Sequence, residues 1–311
     1  MRIAFRVDIG NEIGTGHYSR MTALADAFTE LNHQCMLYKG EDEPVDYSSY
    51  DIVILDTYIV SDEYIAAFNA PDRLTVCYDD NALYTYSCDI LLNANLHAHE
   101  LEFRFGPKTP HLLLGGRYAL LRSEFRDSPA VTIRDHASHV FVCFGGSDAR
   151  NMTPKVIHTL KEIDGIHMSV VLGAYTKNDD EVLALSDKHV TVYKKPKSIS
   201  EIMRKCDIAV TAAGSMVYES AAIGIPSILI VQADNQHRIA EYLARKEIMA
   251  CAGSWDNIDF SKLRNEVAAL LKNRTRRHEI SKALIGLVDK NGAHNAANAI
   301  LSRLCIPLEK S

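Results

Sequence analysis

Asp51-Ile52-Val53-Ile54-Leu55-Asp56 is apolar at every position between its two carboxylates. Successive side chains of a strand point to opposite faces, so a strand with one wet face alternates apolar and polar residues. A run without alternation suits a parallel strand covered on both faces. Similar runs recur: Ile3-Ala4-Phe5-Arg6-Val7, Gln34–Tyr38, Leu74–Tyr78, Asp89–Asn93 and Leu112–Leu114 in the first half, and His139–Phe144, His167–Gly173, Val190–Tyr193, Asp207–Thr211 and Ser227–Val231 in the second. Amphipathic segments separate them. In the first, over 18–32, Met21, Leu24, Ala25, Phe28 and Leu31 share one helical face. A short helix is expected over 61–69 with Ser61 as its N-cap. Further helices are expected near 152–163, 178–187, 198–205, 216–223, 236–246, 260–273, 275–288 and 293–304. Helices must supply the cover on both faces of such strands, which gives a doubly wound parallel α/β architecture.

A chain of 311 residues is one very large domain or two ordinary ones. The polar, turn-rich stretch 126–137 falls where the strand–helix pattern restarts. The expected division is therefore 1–134 and 135–311, with the last helix free to pack back on the first domain. Ligands in such sheets bind outside the carboxyl ends of the strands, so two doubly wound, Rossmann-like halves facing a central cleft are expected. The composition, 47% hydrophobic and 24% charged, is that of a globular protein. A net charge of −6 argues against a broad nucleic-acid surface. The 7 cysteines form no C-x-x-C pair and read as buried thiols of a reducing compartment. No apolar stretch approaches the ~20 residues of a membrane span, and a strand-like run follows Met1 directly. These features predict a cytoplasmic protein without membrane insertion.

Polar and glycine clusters sit where strands end. Gly14-Thr15-Gly16-His17-Tyr18-Ser19-Arg20 lies between the first strand and the first helix. Its glycines allow close backbone approach, and the helix start offers an anion site. His17 titrates near neutrality and is a candidate general base; a capping loop with an idle histidine is the equally weighted alternative. Gly145-Gly146-Ser147-Asp148 follows a strand and can meet a phosphate, although alone it reads more simply as a tight turn. Ala213-Gly214-Ser215 opens a helix and is the better diphosphate site, with Glu219 one turn on as an acceptor for ribose hydroxyls. Asp234-Asn235-Gln236 can hold sugar hydroxyls or acetamido groups and also cap the next helix. Tyr78-Asp79-Asp80 is favoured as a turn over a metal site, and Asn93 and Asn95 are candidate substrate contacts or plain loop residues.

In this order, Ile13-Gly14-Thr15-Gly16-His17-xx-Arg20, Asp89-Ile90-Leu91-Leu92-Asn93, Gly116 to Phe125, Gly145–Asp148, Ala213-Gly214-Ser215-xx-Tyr218-Glu219 and Asp234-Asn235-Gln236 resemble the UDP-sugar hydrolases of bacterial pseudaminic acid biosynthesis. The resemblance covers nearly the whole chain and implies the GT-B fold of glycosyltransferases. It implies hydrolysis of UDP-2,4-diacetamido-2,4,6-trideoxy-β-L-altropyranose to UDP and the free sugar, which is later condensed to a nonulosonic acid. The C-terminal half would hold UDP through 145–148, Gly214-Ser215 and Glu219. The N-terminal half would hold the sugar, and His17 would activate a water that displaces UDP with inversion. No metal or cofactor enters this scheme, and a monomer is expected. The family loop has an apolar-rich segment after the histidine, where this chain has Tyr18-Ser19; Trp255 and Asn291-Gly292-Ala293 have no assigned role. The alternatives are a hydrolase for a related UDP-diacetamido sugar, a GT-B glycosyltransferase using a UDP-aminosugar donor, and a non-catalytic nucleotide-sugar sensor.

Overall fold

The structure is a computed structural model that describes residues 1–8, 16–40, 45–57 and 61–304. The chain divides into two compact units. The first contains His17–Arg122, the strand before it and the residues from Asp289 onward; the second contains Ser123–Val288. In chain order the first unit begins with β1 (Arg2–Val7), α1 (Gly16–Glu30), β2 (Gln34–Lys39), β3 (Ile52–Asp56), α2 (Asp62–Ala66) and β4 (Leu74–Tyr78). It continues through β5 (Thr85–Tyr86), β6 (Ile90–Asn93), β7 (Arg104–Phe105) and β8 (His111–Leu114). The second unit runs α3 (Ser123–Arg126), β9 (His139–Cys143), α4 (Met152–Leu160), β10 (His167–Leu172), α5 (Asp179–Ala184), β11 (Val190–Lys194) and α6 (Ile199–Lys205). It then adds β12 (Ile208–Ala212), α7 (Met216–Ile223), β13 (Ser227–Val231), α8 (His237–Arg245), β14 (Ala250–Ser254), α9 (Phe260–Lys272) and α10 (Arg274–Leu284). The last helix, α11 (Gly292–Leu304), returns to the first unit.

Each unit is built on one parallel sheet. The strand orders are β2-β1-β3-β4-β6-β8 and β11-β10-β9-β12-β13-β14. In the first, the non-alternating run at β3 is buried on both faces. Ile52 and Ile54 join Phe5, Leu24, Phe28, Val76 and Ile90. Val53 and Leu55 face the other way, among Ile65, Phe68, Cys77 and Leu91. Ser61 caps α2 by accepting from the Tyr64 N–H at 3.1 Å, as its position predicts. In the second unit α7 ends at Gly224, whose φ of 69° is the left-handed conformation that glycine adopts without penalty. Sequence periodicity does not reveal β14: Ala-Cys-Ala-Gly-Ser carries little strand propensity, and its place is fixed by pairing with β13.

The units part at Arg122/Ser123 and again at Val288/Asp289; the sequence put the boundary at 134/135 and left the last helix free to return. The turn-rich stretch 126–137 is tied into the second unit. The Glu124 carboxylate accepts from the Ser198 hydroxyl at 2.8 Å and the Ser200 N–H at 3.0 Å. The Val131 N–H donates to the Ile223 carbonyl at 2.8 Å, and Arg134 pairs with Asp207 at 2.8 Å. The fully buried Arg277 donates from α10 to the Arg134 carbonyl at 2.8 Å and to the Leu270 carbonyl at 2.8 Å. Polarity marked this stretch as a boundary because unpaired loop and satisfied loop have the same composition.

Candidate active site

His17 and Arg20 occupy the first turn of α1, three residues apart and on one face. Gly16 begins that helix, with open space where a Cβ would stand; Gly14 and Thr15 lie outside the described residues. The imidazole is 3% exposed, and its Nδ1 lies 2.6 Å from Oδ1 of Asp56. Asp56 is the last residue of β3 and is 1% exposed. Arg20 straddles the same carboxylate, donating from Nε to Oδ2 at 2.6 Å and from Nη2 to Oδ1. Its Nη1 donates to Oδ2 of Asp80 at 2.6 Å, and its guanidinium lies 4.0 Å over the Tyr78 ring. Burial alone would raise the Asp56 carboxyl; Arg20 and His17 outweigh it and hold the group below its ordinary value. Burial would likewise lower Arg20, but Asp56 and Asp80 keep its charge more firmly than usual.

This geometry selects one tautomer of His17. A carboxylate accepts and a guanidinium only donates. Were Nδ1 without a proton, its lone pair would face the Asp56 oxygen at 2.6 Å. With the proton on Nδ1, that contact becomes a charge-assisted hydrogen bond. The Arg20 Nη2, 3.0 Å from Nδ1, then has Asp56 Oδ1 as its acceptor. The lone pair therefore resides on Nε2, which is the basic nitrogen.

The loop after β4 is braced from below. The Asp79 carboxylate accepts from the Ala82 N–H at 2.7 Å, and burial raises its pKa. Asn93 ends β6 fully buried, accepts from the Asn95 N–H at 3.0 Å and lies 3.5 Å from Asp79 Oδ2. Asn95 donates to the Asp80 carbonyl at 2.9 Å. These bonds of Asn93 and Asn95 brace the loop that carries Asp80. Tyr78, 9% exposed, underlies Arg20. His17, Arg20, Tyr78, Asp80, Asn93 and Asn95 form one connected group with Asp56: Asp56 joins His17 to Arg20, and Arg20 joins that pair to Tyr78 and Asp80.

In the second unit, Gly145–Asp148 follows β9. Gly145 has a φ of 79°, open to glycine, and Asp148 has a φ of 42°. The Asp148 carboxylate accepts from the Met152 N–H at 2.9 Å and the Thr153 N–H at 2.8 Å, so both its oxygens cap α4. Asp148 thereby shapes the loop from within. The close approach here is internal. A Cβ on Gly173, just past β10, would fall on the carbonyl oxygens of Gly145 and Gly146, and the Tyr175 N–H donates to the Gly146 carbonyl at 2.9 Å. Gly146 and Ser147 remain half-buried. Arg150 lies 4.1 Å over the ring of Trp255, which links this loop to the residue after β14.

Ala213-Gly214-Ser215 leads from β12 into α7, and Ser215 is exposed with its hydroxyl making no cap bond. Glu219 is 6% exposed on the first turns of α7. Gln236 joins this loop to the end of β13. Its Oε1 accepts from the Gln232 N–H at 2.9 Å, and its Nε2 lies 3.3 Å from where a Gly214 Cβ would stand. Asp234 and Asn235 are exposed in the turn before α8. Among the described residues, no group of three or more His, Cys, Asp or Glu side chains could hold a metal ion, and no helix is long and apolar enough to cross a membrane.

Asp56, Gly173 and Arg150 are absent from the sequence-based site. Asp56 left a signal: a doubly buried strand that closes on a carboxylate places that charge at the binding end of the sheet. Gly173 likewise ends an apolar run. Arg150 left none, because its partner Trp255 is remote in sequence.

Residues 139–300 match the model of the glycosyltransferase family 28 C-terminal domain. The chain is 24% identical over 267 residues to a UDP-2,4-diacetamido-2,4,6-trideoxy-β-L-altropyranose hydrolase of Campylobacter jejuni, covering 79% of this chain and 97% of that protein. It is 25% identical over 236 residues to a pseudaminic acid cytidylyltransferase and UDP-2,4-diacetamido-2,4,6-trideoxy-β-L-altropyranose hydrolase of Helicobacter pylori, covering 72% of this chain and 43% of that longer protein. Among solved structures it superposes on MurG of Acinetobacter baumannii with a TM-score of 0.66, at 13% identity, over 97% of this chain and 99% of that one. At that identity the likeness speaks for the fold, which is GT-B.

Proposed function

The chain belongs to the family defined by the glycosyltransferase family 28 C-terminal domain, and we propose that it hydrolyses a UDP-diacetamido-trideoxyhexose to UDP and the free sugar. It is an enzyme that acts on a nucleotide sugar. The observation that carries the hydrolytic reading is the buried His17–Asp56 pair, 2.6 Å apart at the carboxyl end of β3. That pair occurs in a chain whose likeness to a named UDP-sugar hydrolase covers 79% of this chain and 97% of that protein. The substrate favoured by that likeness is UDP-2,4-diacetamido-2,4,6-trideoxy-β-L-altropyranose.

The second unit holds UDP. Ser215 and the backbone at Gly214 offer donors to the diphosphate at the start of α7, where helix N–H groups have no intrahelical partner. Glu219 takes the ribose hydroxyls. Gly146 and Ser147 approach the same phosphates, and Asp234, Asn235 and Gln236 read the sugar end. The first unit supplies the base. His17 Nε2 takes a proton from a water as that water attacks the anomeric carbon; Asp56 stabilises the imidazolium that forms. The anomeric C–O bond breaks, UDP leaves from the opposite face, and the configuration inverts. Donors at the helix start stabilise the departing diphosphate.

Incubation with the UDP-sugar in 18O-water, without an acceptor, tests this. The expected result is UDP release, 18O at the sugar's anomeric carbon and an inverted first-formed anomer by NMR. His17→Ala is expected to lower turnover by about 10²–10⁴-fold. No UDP release without an acceptor would leave the second reading, a glycosyltransferase, which the family model favours.

A further inference from the structure

Arg20 bonds two carboxylates and a ring of the candidate active site. Its Nε and Nη2 are on Asp56, its Nη1 on Asp80, and its flat face on Tyr78. A guanidinium has five N–H donors in a fixed plane, and here that plane is set by two carboxylates and a ring. We propose that Arg20 is a positioning residue that offsets the charge of Asp56 beside His17, and not a ligand of the substrate. The proposal rests on the hydrolase reading, in which His17 must be neutral to accept a proton.

The physical problem is one of balance. A carboxylate hydrogen-bonded to Nδ1 fixes the imidazole's orientation and favours its protonated form. A cation placed on the same carboxylate opposes that preference. Arg20, bonded to both Asp56 oxygens, withdraws part of that pull while leaving the hydrogen bond in place. The neighbouring charges point the same way. Among the described residues, Asp56 comes from β3, Arg20 from the imidazole's own helix, and Asp80 from the loop after β4, reaching the pair through Arg20. At the end of β1, Asp8 is neutralised by Arg6 and bonded by the Thr57 hydroxyl at 2.6 Å, and its N–H donates to the Asp56 carbonyl at 3.1 Å. Arg20 is thus the cation that meets the Asp56 carboxylate. Asp80, with 13% of its side chain exposed, holds the far end of the guanidinium and keeps a share of its charge.

Two substitutions and two readouts decide it. In Arg20→Gln the acid limb of the kcat–pH profile is expected to move up by about one pH unit, the low end for a nearby charge. KM should stay within about threefold of wild type, and the rate deficit should shrink at alkaline pH. Arg20→Lys should restore the acid limb while recovering kcat only in part, because an ammonium keeps the charge but not the two-pronged contact. NMR titration of His17 in ligand-free protein should show the same shift as the kinetics. A KM raised more than about tenfold with an unmoved acid limb would make Arg20 a substrate ligand and overturn the proposal. If Arg20→Gln does not fold, Asp80→Asn takes its place. Asp56 then has the whole guanidinium, and the His17 midpoint should move down; an unmoved midpoint overturns the proposal. The ligand-free titration judges Arg20 even if wild-type protein releases no UDP, an outcome that sinks the hydrolase reading instead.

Discussion

A carboxylate 2.6 Å from Nδ1 does two things for His17. It places the proton on the nitrogen that faces the protein, and it fixes the ring plane so that Nε2 points one way. Both depend on charge and shape together. Asp56→Asn keeps the shape and removes the charge, and the amide can present an N–H where an acceptor is needed. The expected result is a kcat loss of about 10²–10⁴-fold with KM little changed, measured by steady-state UDP release on protein whose circular dichroism matches wild type. A kcat near wild type would remove Asp56 from the mechanism. The sequence offered His17 as one of two equally weighted readings of its glycine loop; the base role proposed for it leans on Asp56. Asp56 was legible only as the end of a strand. Nothing in its neighbours along the chain says that position 17 will be its partner, because a contact across 39 residues is a product of the sheet.

At the scale of elements, the second unit shows how one backbone position supports a loop elsewhere. Gly173→Ala puts a methyl group onto the Gly145 and Gly146 carbonyls. It is expected to lose about 1–3 kcal/mol of stability, read by denaturant titration. The displaced loop should also weaken UDP binding by calorimetry; unchanged affinity would separate the 145–148 loop from the nucleotide. The opposite end of the same sheet carries a different device. His139 and His167 stack with centroids 5.0 Å apart, and His189 lies 5.1 Å from His167. Burial, then His167 and Arg134, hold His139 below its ordinary value against the pull of Asp207. The unfolded chain therefore takes up the proton first as pH falls. The stabilisation is complete above about pH 6.5, the ordinary value, and is lost from there down to the folded value. With 47% of the His139 side chain exposed, solvent screening keeps the effect small. Tm should fall slightly as pH drops through about 6.5, and His167→Phe, which removes the like charge but keeps the burial, should shrink that fall without abolishing it; an unchanged fall in the variant would assign it elsewhere. Register pairs residue 139 with residue 167. Periodicity located both strands but could not align them.

At the scale of the molecule, the first unit is not continuous in sequence. Ala293, Ala296, Ala297 and Ile300 of α11 are buried with Phe5, Leu24, Phe28 and Ile90. Gly292 brings the helix start against the backbone of Ala119, and Asn295 donates to the Arg117 carbonyl at 3.0 Å. Ile300→Ala is expected to destabilise the first unit by about 2–5 kcal/mol, since its side chain is fully buried. Nucleotide affinity, assigned to the second unit, should be retained. Denaturation followed separately through probes in each unit checks this; a loss shared equally by both would mean that they unfold as one.

The sequence by itself determined the two parallel sheets, since runs apolar at every position have no other stable home than between two helical layers. It also marked the glycine–histidine loop and the start of α7, because glycine and helix-start chemistry are local. It placed the ends of α2 and α7 through Ser61 and Gly224 for the same reason. Tertiary structure alone decided that Asp56, Arg20 and Asp80 gather around His17 and that Asp148 caps a helix; it also fixed the return of α11 to the first unit, which the sequence had left open. These depend on strand order and register. Both are set by packing summed over a whole sheet, and no segment of the chain carries them alone.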